Sequence, residues 1–89
     1  MYKVLYHASA AKEIRKLDGT TQQKIREAIE QIAKNPALGK NLQGILAGKQ
    51  SYRVGSYRIV YQLIHKELIV LILGCGHRRD IYESLTRRR

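Results

Sequence analysis

Arginine, tyrosine and histidine recur in two stretches of this chain where strands would ordinarily carry only core-forming residues. The first runs Ser-Tyr-Arg-Val-Gly-Ser-Tyr-Arg-Ile-Val-Tyr from Ser51 to Tyr61, the second Gly-His-Arg-Arg-Asp-Ile-Tyr from Gly76 to Tyr82. A guanidinium is planar, permanently charged and shaped to pair with phosphate oxygens, so Arg53, Arg58 and Arg78 are suited to clamp a phosphate. Histidine is the side chain that most readily moves protons at neutral pH, which makes His77 a candidate acid or base. Tyr82 offers a ring on which a flat group can stack. Together these residue types suit recognition of a phosphate-bearing chain, with proton transfer close by.

The elements that must position them follow from pattern. Gly55-Ser56 is a turn signal that folds Gln50 to Val54 back on Tyr57 to Ile64 as a hairpin, bringing Arg53 and Arg58 to the same end. Strand alternation then puts Tyr57, Ile59, Tyr61 and Leu63 on one face and Arg58, Val60, Gln62 and Ile64 on the other. Glu67 to Leu73 contains an almost continuous apolar run, predicting a central strand. Gly74-Cys75-Gly76 is expected to loosen the backbone and deliver His77, Arg78 and Arg79 at the strand end.

Upstream, Tyr2 to Tyr6 reads as a strand and Ala8 to Leu17 as a helix with Ala10, Ile14 and Leu17 inward. Asp18-Gly19 is expected to stop that helix. Thr20 and Gln23 then fit a capping box, followed by a core-facing helix bearing Ile25, Ala28, Ile29, Ile32 and Ala33 and ended by Asn35-Pro36. Between Ala37 and Lys49 the glycines Gly39, Gly44 and Gly48 break up any long element. Leu42, Ile45 and Leu46 are expected to tuck this segment down, leaving Lys40 and Lys49 as solvated loop lysines. Ile81 to Leu85 predicts a short last helix, and residues 85–89 a frayed basic tail. No internal repeat or linker interrupts the pattern, so residues 1–89 read as a single domain.

The totals bound the function classes. Eighty-nine residues with 44% hydrophobic content and one proline suit one modest globular core. No apolar run approaches the roughly 20 residues a membrane span requires, and the first residues do not form a signal peptide. The lone Cys75 has no partner for an internal disulfide, which fits a reducing cytoplasm and a plain, small strand-end residue. Three dispersed histidines and one cysteine give no metal-ligand spacing, so neither metal nor cofactor is expected. His7 and His65, at a strand–helix junction and a hairpin turn, are expected to have no catalytic part. Seventeen Lys and Arg against seven Asp and Glu, a formal charge of +10, predict a polyanionic partner. The helices lack the design of a membrane anchor.

The order and spacing of the two stretches carry a likeness. A strand, a helical hairpin, Tyr-Arg-Val-Gly-Ser-Tyr-Arg-Ile-Val-Tyr, an apolar strand and Gly-His-Arg-Arg-Asp-Ile-Tyr together resemble the RelE/ParE toxin superfamily, and within it the RelE-like branch of type II toxin–antitoxin systems. The likeness spans Tyr2 to Leu85. It implies an α+β fold, RelE-like and microbial-RNase-like: an N-terminal strand, a helical hairpin, then a mainly antiparallel twisted sheet. It also implies a metal-independent endoribonuclease that cuts mRNA, in many members in the ribosomal A site, with attack of a 2′-hydroxyl on the phosphodiester. Such a site must accept the hydroxyl proton, stabilise the phosphorane and protonate the departing 5′-oxygen.

By resemblance Arg58 matches the family arginine of the Tyr-Arg strand, Arg78 the arginine after the Gly-His pair, and Tyr82 the C-terminal tyrosine that packs on or orients the nucleotide. Arg53 occupies one basic position of the hairpin strand, while Ser51 replaces another. His77 is then the leading proton carrier and Lys49 the alternative. Lys49, Arg79, Arg87, Arg88 and Arg89 are expected to add RNA attraction. Two other readings share the fold: a ParE-like inhibitor that binds DNA gyrase, and an inactive antitoxin-binding corepressor. Retention of Arg58, His77, Arg78 and Tyr82 favours the nuclease. The partners implied are mRNA, the ribosome and an acidic cognate antitoxin, in a heterotetrameric or larger complex.

Overall fold

A computed structural model describes residues 1–77 and 80–87. Among these residues four strands and a short fifth form one sheet, and three α-helices cover it. In chain order these are β1 (Lys3–Tyr6), α1 (Ala8–Arg15), α2 (Gly19–Lys34), β2 (Lys40–Asn41), β3 (Gln50–Val54), β4 (Tyr57–Ile64), β5 (Ile69–His77) and α3 (Asp80–Arg87). The strand order is β1-β5-β4-β3-β2. Every pairing is antiparallel except β1 with β5. The expected α+β architecture and mainly antiparallel sheet are therefore present.

The core lies between the sheet and the α1–α2 hairpin. Ala10, Ile14, Ile25, Ala28, Ile29 and Ile32 meet Ile59, Tyr61, Val70, Ile72 and Cys75, while Tyr57 and Leu63 pack at its margin. The expected face of β4 thus points at the helices. Gly55 has φ +60° and closes the β3–β4 turn as the first of two loop residues, which spares any Cβ clash there. Tyr61 is fully buried, and its hydroxyl donates to the Pro36 carbonyl (2.8 Å) and accepts from the Gly39 amide (2.7 Å). This bolts the connection leading into β2 to the core.

Several boundaries differ from expectation. The α1 helix ends at Arg15, two residues before Leu17, which still packs against the core from the turn. Asp18, not Thr20, caps α2: its carboxylate accepts the Thr21 amide at 3.4 Å, and Gly19 opens the helix instead of ending the previous one. A full negative charge at the positive end of a helix outcompetes a neutral hydroxyl, and the Thr21 hydrogen bonds hold the Asp18 pKa below its ordinary value. Gln23 bonds Glu27 rather than reaching back to the cap. Ile45 stands 66% exposed, so it does not help tuck down the loop.

The largest difference concerns the glycines near the end of β5. Gly74-Cys75-Gly76 does not loosen the chain; it belongs to β5, which runs on to His77. A register shift opposite Val60/Tyr61 places one extra residue, Leu73, in β5, so Ile72 and Cys75 both face the helices while Gly74 and Gly76 face away. Glu13 of α1 accepts the Cys75 amide at 3.1 Å, beyond the point where β1 stops pairing. On the opposite face, a Cβ built on Gly74 would lie 2.7 Å from Ile81 Cδ1. The bare backbone is therefore the seat on which α3 rests. That helix continues through Arg87, past Leu85, where the sequence reading began the tail.

Candidate functional site

The face of the sheet away from α1 and α2 carries several of the candidate residues. Ladder register sets Lys40 opposite Ser51, Ser51 opposite Val60, and Arg53 opposite Arg58. Directly paired residues share a face, so Lys40, Ser51, Arg53 and Arg58 project together. Seating of Ile81 (1% exposed) over Gly74 and Gly76 brings the next residue, Tyr82, to the same place.

Tyr82 is held from two directions. Its hydroxyl donates to Ser51 Oγ at 3.0 Å, and the guanidinium carbon of Arg58 lies 5.8 Å from its ring centroid. The second contact is of cation–π type, worth about 0.5–1 kcal/mol near a surface. Ser51 is 3% exposed, and it is the sole buried polar residue among the described residues. The serine noted only as a departure from the family pattern is thus the acceptor that fixes the tyrosine.

Arg58 is half-buried, and its Nε is buried with no hydrogen-bond partner. Unpaired buried donors are rare and costly. Beside it lies an open depression of about 360 Å³ lined by Lys40, Leu42, Gln43, Leu46, Arg58 and Tyr82. Among the described residues two cations, one aromatic ring and no carboxylate line it, a composition that draws anions and could seat a planar group. No group of three or more His, Cys, Asp or Glu side chains among the described residues is arranged to hold a metal.

The expected residues divide accordingly. Arg58 and Tyr82 come together, and Arg53 stands exposed directly across the ladder from Arg58. His77 does not join them. It pairs with Tyr57, and the two rings stack at 4.5 Å and 29° on the helix-bearing side of the sheet, whereas Arg58 pairs with Gly76 on the other. Lys49 precedes β3, its carbonyl accepting the Leu42 amide at 2.9 Å, and it is absent from the lining of the depression. Arg78, Arg79, Arg88 and Arg89 lie outside the described residues, and of Arg87 only its place at the end of α3 is described.

Two residues were missed from sequence. Lys40 was read as a loop lysine, yet it lies in β2 and lines the depression; a two-residue strand has no alternation by which to recognise it. Tyr57 was assigned to the core face, which it occupies, but its stack with His77 depends on strand register that no local pattern reveals. Cys75 is buried as expected of a small strand residue, and burial followed by the Glu13 charge pushes its thiol up to about 12. His7 caps α1 by accepting the Ser9 amide, and His65 contacts the Tyr2 hydroxyl at 3.1 Å.

Comparison with known proteins places this arrangement. Residues 4–82 match the family described as the ParE toxin of type II toxin–antitoxin systems. The chain is 32% identical over 91 residues to a RelE-like toxin protein of Escherichia coli, covering 98% of this chain and 96% of that one. It is 28% identical over 91 residues to the mRNA interferase toxin RelE of Escherichia coli strain K12, with the same 98% and 96% coverage. The toxin–antitoxin RelBE complex of Mycobacterium tuberculosis contains a chain that superposes with a TM-score of 0.80 at 32% identity, over 86% of this chain and 98% of that chain. A match over nearly the whole length, in both sequence and fold, shows that this chain belongs to the RelE/ParE family of toxins from type II toxin–antitoxin systems.

Proposed function

We propose that this toxin is an endoribonuclease that cuts mRNA in the ribosomal A site without a metal ion. The observation that carries the reading is the unpartnered Arg58 Nε beside the Tyr82 ring, at a depression whose described lining holds two cations and no carboxylate. A nucleobase stacks on Tyr82, and its phosphate takes the free donors of Arg58, with Arg53 and Arg78 adding charge. The 2′-oxygen attacks phosphorus as its proton passes to a base. The P–O5′ bond breaks as that oxygen gains a proton, leaving a 2′,3′-cyclic phosphate and a 5′-hydroxyl. Arginine charge preorganised where the phosphorane forms stabilises the negative charge that develops there and lowers the barrier. His77 serves as a proton carrier at the open end of β5, reached by RNA that crosses the strand end, and Lys49 is the alternative. Arg79 and the basic C-terminal residues Arg87, Arg88 and Arg89 add attraction to RNA and ribosome. The reaction belongs in the cytoplasm, where message is translated.

The partner is an acidic antitoxin that folds onto the helices and part of the basic face, displaces the C-terminal segment, and assembles into a heterotetramer or larger complex. Charge complementarity drives that association. The edge of β1 offers the antitoxin an apolar seat: Tyr6, 46% exposed, lines a groove with Val4, Ile29 and Ala33. Binding that weakens as salt rises is expected; equal binding at low and high salt would exclude an electrostatic antitoxin contact.

Primer extension on a translated mRNA tests the activity, with wild type set against the Arg58→Ala and Arg78→Ala, Tyr82→Phe variants. Discrete cuts that require translation and vanish in the variants are expected. Growth arrest without cuts would instead indicate a gyrase-binding toxin, and neither cuts nor arrest an antitoxin-binding module.

A further inference from the structure

Lys40 stands on β2, whose two residues pair with Ser51 and Gln50. Its position is fixed on both sides: the Tyr61 hydroxyl holds the Pro36 carbonyl and Gly39 amide just before it, and Leu42 donates to the Lys49 carbonyl just after. A lysine anchored this firmly at its backbone differs from one on a solvated loop. Its register with Ser51 directs it to the face shared by Arg58, and it lines the depression together with Arg58 and Tyr82. Among the described residues no acidic side chain lines that depression, and Lys40 and Arg58 put two positive charges on it. Two like charges facing one small cleft repel each other unless an anion enters between them.

We propose that Lys40 is an RNA-contacting residue of this site, gripping a phosphate that flanks the base stacked on Tyr82 while Arg58 holds the other. This rests on the endoribonuclease reading and extends it from one phosphate to two. Lysine suits the outer position as a mobile point charge, whereas arginine suits the inner one, where donor geometry matters.

The test is binding of a labelled single-stranded RNA, made non-cleavable by 2′-O-methylation, across a salt series. Removal of one phosphate contact from a single strand lowers the slope of log affinity against log salt by about 0.7, a loss of about fivefold at 0.1 M salt. Lys40→Ala is expected to show that loss, Lys40→Arg to restore it, and Lys66→Ala, on the exposed β4–β5 turn, to leave it unchanged. In cleavage of unmodified message, Lys40→Ala is expected to raise KM more than it lowers kcat. A Lys40→Ala slope equal to wild type, or an equal loss in Lys66→Ala, overturns the assignment while the nuclease reading stands. Wild type that neither binds the RNA nor cuts message refutes the nuclease reading itself, and Lys40's role falls with it.

Discussion

Ser51 and Tyr82 provide the sharpest test of how this site is built. The Tyr82 hydroxyl donates to Ser51 Oγ at 3.0 Å, with Ser51 only 3% exposed. A neutral hydrogen bond of this kind contributes about 0.5–1.5 kcal/mol net. Tyr82→Phe removes the donor and keeps the ring; Ser51→Ala removes the acceptor and leaves a partly buried hydroxyl unsatisfied. If the bond orients the ring for stacking, each single variant should slow single-turnover cleavage about three- to tenfold, since about 1.4 kcal/mol corresponds to tenfold in rate. The double variant should be no slower than the worse single one. Urea denaturation of the same four proteins should give a coupling energy of about 1 kcal/mol. Additivity within about 0.3–0.5 kcal/mol would mean the two side chains act independently and would refute the reasoning. Ser51→Lys, which supplies the missing basic type, sharpens the test. It forces a charge into a buried position across the ladder from Lys40 and breaks the Tyr82 contact, so both stability and cleavage should fall. A gain of activity would show that the tyrosine needs no such acceptor.

Other expectations follow from packing and titration. Tyr61→Phe leaves the Pro36 carbonyl and Gly39 amide without their shared partner and should cost about 1–3 kcal/mol in denaturant melts. Gly74→Val should push α3 off the sheet, because even a Cβ meets Ile81 at 2.7 Å; a loss of about 1–3 kcal/mol together with loss of cleavage is expected, and retained cleavage would show that Tyr82 is placed by other means. Cys75 is buried with its thiol raised to about 12 from 9.0, so the folded state holds that proton more tightly than the unfolded one. The resulting stability is complete below pH 9 and should decline by up to about 4 kcal/mol as pH rises to 12, a decline that Cys75→Ala should diminish. Native protein at pH 8 should also resist iodoacetamide until denatured.

Much of the scaffold was legible because its signals are local. The period of Ile25, Ala28, Ile29 and Ile32 required a helix with one apolar face, and the alternation of Tyr57, Ile59 and Tyr61 required a strand with one face against it. Errors fell where two local signals competed. Asp18 and Thr20 both cap helices, and the carboxylate's charge decided between them. Gly74 and Gly76 signal both loose backbone and close approach; contact with α3, a separate element, selected the second. Arg58 and Tyr82 could be singled out by type and spacing, but Lys40 and Ser51 acquired their places through pairing across β2, β3 and β4.

What the sequence determined by itself was the inventory: an excess of positive charge, a hairpin presenting arginines, a tyrosine on the last helix, and a core that needed two helices on one side of a sheet. Those properties depend on residue type and on periods of two and 3.6 residues, which neighbours along the chain suffice to express. Only the tertiary structure decided which of the charged residues face one another. A one-residue phase separates Arg58 from the Tyr57–His77 stack, and a single extra residue in β5 turns Gly74 toward α3 rather than toward the core. Strand register and the seating of a helix on bare backbone are contacts between distant segments, so no window of sequence contains the forces that set them.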